Sequence, residues 1–112
     1  MSVDIAALLD IREAIERSQS FVSDIAYDQF RDDERTMWAV YSQVIVIGEA
    51  ANRVSREFQQ QHDSVPWKKM VSMRHRLVHG YDEINWERVW ETVTDDLPKL
   101  RTAIERLIPK EP

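Results

Sequence analysis

A chain of 112 residues with 43% hydrophobic residues, two glycines and four prolines suits one helical domain better than a turn-rich β protein. It has no cysteine, which excludes disulfides and thiolate metal sites. Fifteen Lys and Arg against twenty Asp and Glu give a net charge of -5, which disfavours general nucleic-acid binding.

The N-terminal residues Ile5, Leu8, Leu9, Ile11 and Ile15 follow helical spacing and predict a helix from about Asp4 to Ser23. Residues 24–33 place Tyr27 and Phe30 among short polar residues, as in a turn or short helix. The clearest stripe runs through Met37, Val40, Tyr41, Val44, Ile47, Gly48, Ala51, Val54 and Phe58, over six turns. Gly48 and Ala51 are small on that stripe and invite close approach of another helix.

His62 to Pro66 reads as a loop, with Pro66 suited to a first helical position. Trp67, Met70, Arg74, Leu77 and Tyr81 then share a face, and Gly80 is a stop signal. Asn85 is placed to cap a last helix whose stripe is Trp86, Val89, Trp90, Val93, Leu97, Leu100, Ile104 and Leu107. Pro98 should kink or divide that helix. No segment alternates, so the expected fold is all-α: an antiparallel bundle of four main helices, with a possible fifth short one, forming a single domain over residues 1–112.

No apolar run approaches the roughly 20 residues of a membrane span. Met1-Ser2-Val3-Asp4 lacks the basic start of a secretion signal. A soluble cytoplasmic protein with no membrane partner is expected. No Gly-rich phosphate loop is present, and no cofactor is expected.

The chemistry concentrates in Met73-Arg74-His75-Arg76-Leu77-Val78-His79-Gly80-Tyr81. From Pro66 to Tyr81 there is no acid, while Lys68, Lys69, Arg74 and Arg76 give +4, so the rest of the chain carries -9. Arg offers a fixed fork of donors to phosphate oxygens, and His moves protons near neutral pH. That set suits phosphodiester cleavage in RNA, with Arg74 steadying charge on phosphorus and His79 moving a proton. Two copies of His79, or His79 with His75, would supply both acid and base. Arg76, Lys68 and Lys69 would support RNA binding. The plainer alternative makes Arg74 an ion-pair residue and His79 a cation at a helix C-terminus. His75 and His79 also have the i, i+4 spacing of a metal pair, but no carboxylate lies near them in sequence to complete it.

Five residues separate Arg74 from His79, so on an ideal helix they point about 140° apart. Either the helix ends or distorts before His79, or a second copy completes the site, in which case the chain is a homodimer.

Taken with Ile47-Gly48-Glu49-Ala50-Ala51, Val65-Pro66-Trp67 and Val89-Trp90, this run resembles the HEPN-domain HepT-like toxin family, the ribonuclease half of a bacterial toxin–antitoxin pair. The resemblance covers nearly the whole chain. It implies a HEPN-like bundle that dimerises with its motifs across a cleft, and metal-independent RNA cleavage by Arg74 and His79. His75 departs from the Asn most common after the family's Arg. The resemblance also implies a partner, a minimal nucleotidyltransferase antitoxin of a type VII-like system that transfers AMP to Tyr81. A rival role is that of a non-catalytic subunit presenting substrate to that nucleotidyltransferase.

Overall fold

The computed structural model describes residues 2–110; Met1, Glu111 and Pro112, which the single-domain expectation includes, lie outside the described residues. Among the described residues there are helices and no strands. The helices are α1 (Val3–Phe21), α2 (Tyr27–Arg31), α3 (Glu34–Arg53), α4 (Arg56–Gln61), α5 (Trp67–His79), α6 (Trp86–Glu91) and α7 (Leu97–Leu107). A 3₁₀ turn (Tyr81–Glu83) follows α5, and a π turn (Thr92–Asp96) joins α6 to α7.

Helix α3 is the centre of the fold. It packs α1 on one side and α5 on the other, while α7 lies along α1. The pairings are antiparallel, as side-chain bonds at their ends show. Asp4 at the start of α1 meets Ser55 just past α3, and Tyr41 early in α3 meets Leu77 late in α5. Arg101 early in α7 meets Glu16 and Gln19 late in α1. The core between these helices is built by the expected stripes. Leu8, Ile11 and Ile15 of α1 pack with Val40, Val44 and Ile47 of α3, and Leu97, Leu100 and Ile104 of α7 complete it.

Helix starts follow capping chemistry. Ser2, Asp33, Ser55 and Asn85 each accept a bond from the backbone N–H three residues on, satisfying donors that the first turn leaves free. Asp24, in the turn after α1, has φ 62°, a left-handed conformation that a short Asp side chain tolerates better than a branched one.

The expected six-turn stripe through Phe58 is interrupted. Helix α3 stops at Arg53, and α4 begins after Ser55. A local cap and a distant contact meet at the break: Ser55 caps α4, and the Asp4 carboxylate accepts from the Ser55 backbone N–H at 2.7 Å and from its hydroxyl at 2.8 Å. At the other end of the chain Pro98 divides the last helix as expected. It sits in the first turn of α7, directly after the π turn, whose wider spacing accommodates the N–H that proline lacks. Thr92 and Thr94 donate their hydroxyls to the carbonyls of Arg88 and Trp90 around that turn.

The short segment 24–33 resolves as α2. Phe30, fully buried, lies under the rings of Trp86 and Trp90, at centroid distances of 6.3 and 5.2 Å. This aromatic contact fixes α6, and with it the approach of the chain leaving α5.

Candidate active site

Helix α5 carries the site. Trp67, Met70 and Leu77 are its buried stripe, and Arg74 occupies the same stripe between Met70 and Leu77. A long cation at a core-facing position must leave along the seam with α3. Gly48 makes room for it. A Cβ at position 48 would fall 2.1 Å from Arg74 Cβ and 2.8 Å from the Met70 carbonyl. The guanidinium emerges beside Glu49, with Nη2 at 2.5 Å from Oε1.

Arg74 Nε is buried and has no hydrogen-bond partner among the described residues. The Nε edge of the fork is therefore closed to a ligand, and the outer edge formed by the two Nη atoms is the one a phosphate can reach.

The helix does not end or distort before His79. It stays α-helical through that residue and closes at Gly80, whose N–H donates to the Arg76 carbonyl at 2.8 Å. The divergence of about 140° between Arg74 and His79 therefore holds. Arg74 is drawn toward α3, and His79 is exposed on another side. His79 does lie beside His75, with ring centroids 4.3 Å apart and planes at 48°. Both imidazoles are exposed.

A residue that sequence reasoning assigned only to the core holds this end of α5. The Tyr41 hydroxyl donates to the Leu77 carbonyl at 2.9 Å. Leu77 is within the last turn, where carbonyls lack helical partners, so Tyr41 caps the helix from the side. Glu49 likewise had no assigned role, and its sequence signal is its place in the run Ile47-Gly48-Glu49-Ala50-Ala51 that carries the family resemblance.

The supporting cations separate. Lys68, Ser72, His75 and His79 recur at intervals of four, three and four, which is one stripe of α5. Lys69, Met73 and Arg76 form the next stripe and face a groove of about 390 Å³ with Met70, Leu97 and Leu100. Tyr81 opens the 3₁₀ turn and is 66% exposed. It does not continue the α5 face. Among the described residues no three His, Cys, Asp or Glu side chains are grouped to hold a metal ion, and no helix is long and apolar enough to cross a membrane.

A family model described as ribonuclease HepT-like matches residues 11–107 of the chain. The chain belongs to the ribonuclease HepT-like family. Three relatives agree along most of their length. A Thermococcus cleftensis protein named "Probable ribonuclease HepT" is 36% identical over 100 residues, covering 89% of this chain and 91% of the relative. A Methanocaldococcus jannaschii protein named as a candidate RNase is 34% identical, covering 89% and 92%. A third, from Caldanaerobacter subterraneus and also named as a candidate RNase, is 32% identical over 90 residues, or 80% of each chain. No solved structure matches. The matched span of this HepT-like chain contains all of α3 and α5, the site residues Glu49, Arg74, His75 and His79, and Tyr81.

Proposed function

We propose that the protein is a metal-independent endoribonuclease, the toxin of a type VII-like toxin–antitoxin pair, with Arg74 and His79 as its catalytic residues. The observation that carries this reading is the ribonuclease family match, which spans the whole site. In the reaction the RNA 2′-oxygen attacks the adjacent phosphorus and gives its proton to a base. The bond from phosphorus to the 5′-oxygen breaks, and that oxygen takes a proton from an acid. The Nη edge of Arg74 meets the charge that builds on the non-bridging oxygens.

Entering and leaving oxygens stand in line on opposite sides of phosphorus. Acid and base must therefore approach from opposite directions. His75 and His79, side by side on one stripe with ring centroids 4.3 Å apart, share one direction, so the pair does not serve as both. A second copy of the chain supplies the opposing His79, and also relieves the divergence of Arg74 and His79. The exposed Trp38 and Val46 on α3 are apolar surface for such a homodimer.

Tyr81 is the regulatory site in this proposal. Its hydroxyl oxygen attacks the α-phosphorus of ATP on a nucleotidyltransferase partner, pyrophosphate leaves, and AMP remains on the tyrosine. The added phosphate lies two residues from His79 and blocks the approach of RNA by charge and bulk. The exposure of Tyr81 supports this role.

The test incubates unmodified protein, verified by intact mass, with total RNA in EDTA beside His79→Ala and Arg74→Ala. Cleavage by the parent alone is expected. Full activity in His79→Ala, or none in unmodified parent, overturns the assignment.

A further inference from the structure

The stripe that ends at His79 leads into a cleft. Toward the start of α5 it passes His75, Ser72 and Lys68, and all three line an open cleft of about 480 Å³ between α5, α4 and the end of α3. The opposite wall brings Asn52 and Arg56. The apolar floor includes Val54, Trp67 and Val71.

Three properties suit this cleft to a polyanion. First, no carboxylate lines it, although the chain as a whole carries -5. Second, its two cations are free. Arg12, Arg17, Arg53, Arg74, Arg88 and Arg101 are all in ion pairs, whereas Arg56 and Lys68 are in none among the described residues. Third, the exposed amide of Asn52 and hydroxyl of Ser72 make no internal hydrogen bond among the described residues and are available to a ligand. Lys68 lies eleven residues from His79 along one stripe, about 16 Å at the helical rise.

We infer that this cleft is an RNA-binding subsite that seats nucleotides of the strand running on from the scissile phosphate. Resting on the ribonuclease reading above, it extends that reading from the reacting bond to the strand beside it. Arg56 and Lys68 bind the flanking phosphates, as paired cations do on single strands. Asn52 and Ser72 face the base, whose edge is open in single-stranded RNA and presents both donors and acceptors. The apolar floor takes the face of the ring.

The experiment uses a fluorescent single-stranded RNA of mixed sequence and full-length protein carrying His79→Ala, so that binding is read without cleavage. In that background Arg56→Ala with Lys68→Ala should weaken binding about tenfold and flatten the slope of log affinity against log salt by about 1.4, two phosphates' worth for a single strand. Arg31→Ala with Arg35→Ala removes the same charge at the end of α2 and the start of α3, where Arg35 lies about 25 Å from Asn52 by helical rise. This control should leave the slope within half of that change. Asn52→Ala and Ser72→Ala, made in the active chain, should shift which nucleotides flank the cut sites while leaving the salt slope alone.

Equal losses in the two double variants overturn the subsite and leave the ribonuclease reading standing, provided the parent chain cleaves. Failure of every form to bind RNA, with no cleavage by the unmodified parent, overturns both.

Discussion

Gly48 and Arg74 touch across the seam between α3 and α5: a methyl group at position 48 would fall 2.1 Å from Arg74 Cβ, far inside van der Waals contact. The obstacle is not the free end of a side chain. Arg74 Cβ is fixed to its helix, and the Met70 carbonyl stands 2.8 Å from the same point. Gly48→Ala must therefore push the helices apart. Overpacking of this kind costs about 1–3 kcal/mol, against which Ala returns up to about 1 kcal/mol of helix propensity. We expect a net loss in the urea midpoint and a larger loss of RNA cleavage, because Arg74 moves with its helix. Parental stability and activity in Gly48→Ala would show that the seam yields without consequence.

Glu49→Gln separates position from stability. Both side chains of the Arg74–Glu49 pair are partly exposed, at 32% and 49%. A pair so placed contributes little to folding, about 1 kcal/mol at most. In the proposed reaction its use would be to hold the guanidinium in one orientation. Because Nε is buried, only the Nη edge would be left to meet phosphate in the proposed reaction, and Glu49 is paired to that edge. A misplaced cation costs more in rate than in affinity. Glu49→Gln should lower kcat about tenfold with a small change in KM and an unchanged melting curve. Loss of melting temperature in proportion to the loss of rate would point to a structural pair only.

Much of the scaffold was legible because it is written locally. The stripes of α1 and α3, the stop at Gly80, the Asn85 cap and the division at Pro98 all depend on neighbours within a turn or two. The break between α3 and α4 was not read from the sequence, since the Asp4 contact that meets it comes from 51 residues away. The same holds for Tyr41 on Leu77 and for Glu49 on Arg74, which exist only once α3 and α5 are antiparallel. The separation of Lys68 from Lys69 and Arg76 is different. It follows from helical spacing, yet a run of cations in sequence conceals it until the neighbouring helices show which stripe opens on which cleft.

The Asp33 cap should make stability depend on pH. Its carboxylate accepts from the Thr36 hydroxyl at 2.7 Å and from the Thr36 backbone N–H at 3.2 Å. These bonds, the hydroxyl foremost, hold its pKa below the usual carboxylate value. The folded state thus favours the charged form. The contribution is complete above the unfolded pKa of about 3.9 and is lost as pH falls through the lower folded value. Asp33→Ala should be less stable than the parent at pH 7, and the two urea midpoints should converge as pH drops below about 4. A difference that persists undiminished at pH 2 would mean that the charge is not what the cap uses.

Tyr81 is one of three tyrosines, and the structure sets them in different positions. The Tyr41 hydroxyl is already donated to the Leu77 carbonyl, on a side chain that is partly buried. Tyr27 is also partly buried, its ring packed against Phe30 and Trp90 at 6.5 and 6.0 Å. Tyr81, 66% exposed at the head of a 3₁₀ turn, has neither constraint. AMP transfer by a nucleotidyltransferase partner with ATP should therefore add mass to the parent and not to Tyr81→Phe. The modified parent should lose RNA cleavage, whereas Tyr81→Phe should keep it after the same treatment. Tyr41→Phe should still accept AMP, while losing about 1 kcal/mol of stability with its hydrogen bond. Mass gain in Tyr81→Phe would move the switch to another residue, and cleavage undiminished in fully modified parent would sever the modification from control.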